Sequence, residues 1–445
     1  MLERAFQGLE ICTQYPDIDL LLREMRGIGQ ERRFSRPADP DMRGHQGKPL
    51  SRLKFRDVPV KFPAAGDSPQ RQVRGGLRLP PDNQLPGAPH VMTEAGNILV
   101  DTTTRIFRDL GDPQTLNGAA DDRWRAPLWR ALEDAGLTKA WVPESLSGAG
   151  AGVADGFEVL RIAGTFAVAL PLAETLLAGW LLSQAKLNVP QGMLCVAPVR
   201  DGEQLLIGAD GKLSGTATSV PFARDVGQLA VVARRGGKAI VVLVERGSCE
   251  IHAGSSIAGE PRDDVVLDGV TPLALADAPP GLDEDKLMAM GAAVRSVQMA
   301  GALQSILDRS VAYAKERIAF ERPIGGFQAV QHNLARLAGE AAVALAASGS
   351  AADAIDKAHG FDEAVLLEIA SAKIRVGEAA EKGAAIAHQV HGAIGFSKEH
   401  VLHRYTQRLW AWRDDFGSES AWAVRLGNAV AAKGADALWP MLAAR

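Results

Sequence analysis

The hydrophobic period changes twice along this chain, and these two changes constrain its fold more than any other feature. From Ile98 to about Leu187 apolar residues recur at helical spacing. Leu99, Ile106, Phe107 and Leu110 fall on one stripe, and Leu128, Trp129 and Leu132 on another, closed by Gly136 as a helix C-cap. From about Met193 to Ala278 the period falls to two. Leu229–Ala233 and Ile240–Val244 are short β-rich runs on either side of the turn Arg234-Arg235-Gly236-Gly237. After Pro279-Pro280-Gly281 the helical period returns and continues to the C-terminus. Asp283-Glu284-Asp285 opens it, three acidic residues suited to the positive end of a helix. Helices are expected at about Asp283–Ile318, Ala329–Ala358, Phe361–Gln389, Lys398–Trp412 and Ser418–Lys433. The fold class is mostly α with a central small β domain. Its expected divisions are a helical domain over 92–192, a β domain over 193–280 and a helical bundle over 281–445.

Residues 1–91 have a different character. Between Arg32 and Pro89 the chain is rich in Arg, Pro, Gly, Asp and Gln, without sustained period. Such composition buries too little apolar surface to offset chain entropy, so a disordered extension is expected, apart from a short helix around Asp17–Arg26. A tail with its own role and a start at Met92 are both open. The 445 residues carry a net charge of −4, which gives no footing for a nucleic-acid binder. Three cysteines with no CxxC spacing indicate neither a disulfide framework nor a zinc site. No apolar run reaches the roughly 20 residues of a membrane span. The first residues, MLERAFQGLE, lack a signal-peptide core, so a cytoplasmic location is expected. Ser147-Gly148-Ala149-Gly150-Ala151-Gly152 has the glycines of a dinucleotide loop but no preceding strand in a βαβ unit; it reads as a flexible turn before a helix.

One connector between helices stands apart: Arg317-Ile318-Ala319-Phe320-Glu321-Arg322-Pro323-Ile324-Gly325-Gly326-Phe327-Gln328-Ala329-Val330-Gln331-His332. It combines a fixed cation, two aromatics, a Pro, two glycines and paired amides. Together with Gln389-Val390-His391-Gly392-Ala393-Ile394-Gly395-Phe396 and the domain order, it resembles the acyl-CoA dehydrogenase family over residues 98–445. Trp141-Val142-Pro143-Glu144 before the glycine run is similar to that family's N-terminal helical domain. The resemblance implies an N-terminal helical domain, an antiparallel β domain and a C-terminal four-helix bundle. It also implies FAD as cofactor, an acyl-CoA thioester as substrate, electron-transfer flavoprotein as acceptor, and a role in lipid metabolism. Arg317 would give forked hydrogen bonds to the flavin diphosphate. Phe320 and Phe327 would offer apolar faces, and Gln328 and Gln389 amide contacts. Gly392 and Gly395 would let backbone approach the cofactor. The two halves are implied to come from different protomers, so an oligomer is needed.

The implied reaction is α,β-dehydrogenation: a carboxylate removes the α proton and the β hydrogen leaves as hydride to the flavin. The family's base is often a Glu before a Gly, about 21 residues after the second motif. That position holds Phe416, followed by Gly417. Asp415 and Asp414 lie just before it and are the candidate bases, Asp415 first. A second known base position falls at Gly291. Its neighbour, where an Arg often meets the CoA, is Ala292, with Arg295 one turn on as a substitute. The family's flavin-binding turn in the β domain is not recognisable in Val196–Gly202. These departures leave four readings: a homo-oligomeric FAD-dependent dehydrogenase, a flavin-incomplete or non-catalytic subunit of a hetero-oligomeric one, a silent structural partner, and a nitroalkane-oxidase-like enzyme with an Asp base.

Overall fold

A computed structural model describes residues 94–443 except 201 and 359. The expected extension over 1–91, with its Asp17–Arg26 helix, lies outside the described residues. The first helical layer comprises α1 (Glu94–Leu110), α2 (Pro113–Asn117), α3 (Arg125–Asp134), α4 (Val153–Phe166) and α5 (Leu172–Gln184). Gly136 takes a left-handed φ of 71° just past α3, as a helix end favours. The glycine run before α4 is a fastened turn rather than a loose one. Gly148 N–H donates to Pro143 O, Ala149 N–H to Lys139 O and Ala151 N–H to Ala140 O. A Cβ on Gly148 would stand 2.0 Å from Val142 O, so glycine is needed there for close approach.

Eight strands follow: β1 (Leu194–Val196), β2 (Leu205–Ile207), β3 (Leu213–Pro221), β4 (Gln228–Arg235), β5 (Lys238–Glu245), β6 (Glu250–His252), β7 (Arg262–Val270) and β8 (Ala274–Asp277). Their order is β6-β7-β3-β2-β4-β5-β8, with β1 beside β4. The β4–β5 hairpin is fully antiparallel, from Gln228 opposite Glu245 to Arg235 opposite Lys238. Two short pairings, β1 with β4 and β2 with β4, are parallel. Alternation along β4 serves two cores. Leu229, Val231 and Ala233 join the β core, while Ala230 and Val232 pack with the helical layer.

The C-terminal part holds α6 (Glu284–Glu316), a two-strand hairpin of β9 (Ile318–Ala319) and β10 (Arg322–Pro323), α7 (Gln328–Lys357), α8 (Glu363–His391), α9 (Leu402–Asp414), α10 (Glu419–Lys433) and α11 (Leu438–Ala443). Asp283 caps α6 by accepting from Lys286 N–H, and Asp362 caps α8 through Val365 N–H. Leu303 and Ile306 of α6 share a core with Leu337, Val376 and Leu409, which come from α7, α8 and α9. The segment 287–303 of α6 is buried on every side. A helix covered all round is a central one, here meeting the first helical layer, the sheet and the bundle. Where α4 crosses α6, a Cβ on Gly164 would lie 2.2 Å from Gln298 O, and one on Gly301 2.1 Å from Arg161 O. Two backbones in such contact leave no room for side chains.

Candidate functional site

The connector after α6 is built as an exposed tip. Arg317 ends the helix, its N–H donating to Tyr313 O at 2.8 Å. Ala319 pairs with Arg322 across a two-residue turn, Phe320-Glu321, whose φ angles are 51° and 67°. Hairpin turns of this length favour positive φ, and neither residue is glycine. Phe320 is 89% exposed at the tip. Phe327 is half-buried, with the Arg322 guanidinium 4.2 Å from its ring centroid and the Phe320 ring at 6.0 Å. Arg317 and Gln328 are exposed. Among the described residues no carboxylate pairs with Arg317.

The second segment lies at the same end of the bundle. Tyr313, one turn before Arg317, stacks on His391 at 4.5 Å. Gln389 is exposed, and α8 stops at Gly392 with φ 66° and ψ −147°, a conformation open only to glycine. Gly395 differs: it is buried, and a Cβ there would stand 2.9 Å from His391 Cβ. It serves packing of the turn. Ile318, Phe320, Ile394 and Phe396 add exposed apolar surface at this end.

Behind the tip, histidines form an aromatic stack. His388 lies between Phe396 at 4.1 Å and Trp410 at 5.9 Å, with its Nε2 2.9 Å from Thr406 Oγ1. His391 lies 4.7 Å from His400. Burial, then the neighbouring histidines, pulls His388 down to about 4. Burial, then His391 and Arg309, does the same to His400. A folded value below the unfolded one, about 6.5, means the folded state resists protonation. This contribution to stability is full above pH 6.5, falls as pH drops toward 4, and then levels off. In histidine-labelled protein the two imidazoles are expected to show no titration from pH 7.5 to 5.5. A midpoint near 6.5 for either would overturn the prediction.

Asp415 sits where the three layers meet, and both its oxygens are taken. Arg262 of β7 donates through Nε to Oδ1 at 2.9 Å and through Nη2 to Oδ2 at 2.8 Å. Arg295 of α6 donates through Nε to Oδ2 at 2.9 Å and also pairs with Glu174 of α5. Lys373 Nζ donates to the carbonyls of Trp412, Arg413 and Asp415 at 2.8, 3.1 and 2.9 Å. Burial alone would raise the Asp415 carboxyl, but Arg262 and Arg295 hold it below the usual range. Asp414 is exposed, and partial cover by its surroundings raises its carboxyl. Phe416 is buried with φ 54°, and its Cδ1 lies 2.2 Å from where a Cβ on Gly291 would stand. A left-handed non-glycine residue costs about 1 kcal/mol, so packing of this ring holds it there.

Comparison with known proteins decides the family. The acyl-CoA dehydrogenase C-terminal domain family matches residues 285–413. Acyl-CoA dehydrogenase IpdE2 of Mycobacterium tuberculosis is 27% identical over 318 residues, 71% of this chain and 91% of that protein. FadE34 of the same organism is 30% identical over 314 residues, which cover 68% of this chain and 42% of FadE34. The solved ChsE4–ChsE5 complex from Mycobacterium tuberculosis aligns with TM-score 0.67 and 26% identity, over 76% of this chain and 97% of the matched chain. The chain belongs to the acyl-CoA dehydrogenase family. Its class is that of the family's flavoprotein oxidoreductases, acting in acyl-CoA dehydrogenation. Among the described residues no helix is long and apolar enough to cross a membrane.

The two carboxylates expected as bases have different surroundings. Asp415 is paired with two arginines, and its affinity for a proton is lowered. Asp414 lacks the dry pocket that a working carboxylate needs. Arg295, expected as a substitute contact for CoA, is wholly buried and engaged. The two positions that the resemblance implies for a base, 416 and 291, hold a phenyl ring packed on a glycine. Beside the β-domain stretch Val196–Gly202 one carboxylate is engaged. Glu203 accepts from Arg200 N–H at 2.9 Å and from Thr218 Oγ1 at 2.5 Å. The partners of Asp415 were not legible in the sequence because Arg262 and Arg295 lie 153 and 120 residues from it and carry no motif.

Proposed function

We propose that this chain is the base-less subunit of a hetero-oligomeric acyl-CoA dehydrogenase, paired with a related chain that carries the carboxylate. One observation supports this above the others: the Phe416 ring lies against Gly291, filling both positions that the resemblance implies for a base. The remaining nearby carboxylates are either paired with arginine or exposed. The chemistry that FAD would supply when bound is an acceptor for the β hydrogen as hydride. Arg317, Phe327, Gln328 and Gln389 would hold its diphosphate and nucleotide edges, and Gly392 would admit them closely. These residues fit because they are displayed on one end of the bundle around an exposed cation and an open, glycine-only turn. Phe320 is 89% exposed at the tip, so a second chain would be needed to close a cofactor site. The solved ChsE4–ChsE5 structure is a complex of ChsE4 with ChsE5 and favours the same reading.

Flavin stoichiometry tests the proposal. The chain expressed alone is expected to be colourless. Co-expressed with a related chain bearing Glu at the equivalent of Phe416, it should give a yellow complex with one FAD shared between two chains. Anaerobic bleaching by an acyl-CoA should then occur in the complex and not in the single chain. A yellow homo-oligomer with one FAD per chain that turns over an acyl-CoA would sink the reading. Within the complex, Arg317→Ala should weaken FAD retention about 10- to 100-fold, from the loss of about 1.5–3 kcal/mol of charge-assisted bonding. Unchanged retention would remove Arg317 from the site.

A further inference from the structure

Asp415 is one link in a longer chain of charges. Glu174, Arg295, Asp415, Arg262, Glu260 and Arg408 follow one another with alternating sign, and none is more than 8% exposed. Glu174 pairs with Arg295, and Arg295 with Asp415 at 2.9 Å. Asp415 pairs with Arg262 at 2.8 Å, and Arg262 lies 3.5 Å from Glu260. Glu260 closes the series against Arg408 Nε at 2.8 Å. The members come from α5, α6, α9 with the turn after it, and β7 with the loop that leads into it. Three negative and three positive charges balance, so the series needs no outside ion.

We infer that this ion chain takes the place of a ligand at the three-layer junction, closing it so that the chain meets FAD and thioester only through its bundle end. The inference rests on reading the chain as the base-less member of a pair, and goes further by assigning which surface remains for ligands. Each of the four inner charges faces two opposite ones, so separating any two layers would strand buried charge without solvent. Opening is therefore opposed at every link. Lys373 reinforces the closure by pinning the carbonyls on both sides of Asp414, which leaves Phe416 little freedom to leave Gly291. Here the carboxylate nearest the base positions has two arginines on it.

Hydrogen exchange read peptide by peptide separates this from the alternatives. In the chain alone, peptides containing Arg262, Arg295 and Asp415 should fall in the slowest class, opening only with global unfolding. If they open more readily than the rest of the core, the junction is not locked and the inference fails, whatever the flavin does. In the co-expressed complex, stripped of flavin and reconstituted with FAD alone, peptides over 317–332 and 389–396 should slow. Those over 258–266 and 410–417 of this chain should not change. Slowing at the second pair would overturn the inference while leaving a shared-flavin assembly intact. Failure of the complex to take up FAD would overturn the functional reading instead, and the exchange of the single chain would still decide the lock.

Discussion

Asp415→Asn is expected to cost about 3–5 kcal/mol of folding stability, the usual consequence of removing one partner from a buried ion pair. The carboxylate receives three charge-assisted hydrogen bonds from two arginines. Asparagine keeps the shape but leaves the six-charge series with a net positive charge in a place water does not reach. Glu174 can still serve Arg295, but Arg262 is left with Glu260 at 3.5 Å. The loss should carry a pH signature. A folded carboxyl held below its unfolded value, about 3.9, contributes stability above that pH and loses it as pH falls through the folded value. The gap between wild type and variant should therefore be full at pH 7 and narrow below pH 4. Denaturant midpoints at the two pH values measure it. Asp414→Asn, on the exposed carboxylate next door, should change stability by no more than about 0.5 kcal/mol. Were Asp415→Asn instead to keep its stability and abolish turnover by the chain alone, Asp415 would be restored as the base.

The second large effect concerns a glycine that looks unremarkable. Gly301→Ala is expected to destabilise by about 3 kcal/mol, the upper part of the range for forcing atoms into a packed interior. The new Cβ would meet Arg161 O at 2.1 Å, and that atom is backbone of α4, so the two helices must part. Parting them also disturbs the reciprocal contact at Gly164. Gly349→Ala in α7 should have the opposite sign. It lies mid-helix with nothing within 4 Å of a new Cβ, and alanine there gains about 0.5–1 kcal/mol from helix propensity. Urea midpoints at unchanged m-value would show both shifts. Equal effects from the two substitutions would refute the crossing contact as the cause.

Much of the fold was legible because local physics carries it. The helices expected at about Asp283–Ile318 and Phe361–Gln389 form as Glu284–Glu316 and Glu363–His391, begun by Asp caps and ended where Arg317 turns extended and Gly392 turns left-handed. The β4–β5 hairpin follows from two alternating runs around Gly236-Gly237. The glycine run before α4 was less legible. Its composition suggests looseness, yet its hydrogen bonds and the contact at Val142 fasten it, and neither is visible in a window of six residues. Of the candidate site, the cation, amides and glycines at the bundle end could be picked out because they cluster in two short motifs.

What the sequence alone determined, then, is what short-range chemistry determines: where helices start and stop, the order of layers, and two short motifs; that both motifs lie at one end of the same bundle came from the stacking of Tyr313 on His391. The tertiary structure decided what depends on distant partners. Asp415 could not be told from a free acid, because the arginines that neutralise it stand 153 and 120 residues away. Nor could Gly301 be told from Gly349, since the backbone that excludes a side chain belongs to another helix. Phe416 and Gly291, two substitutions when read along the chain, become one packed contact in space. Burial and charge pairing are sums over neighbours in three dimensions, and periodicity reports only which face a residue takes, not what it will find there.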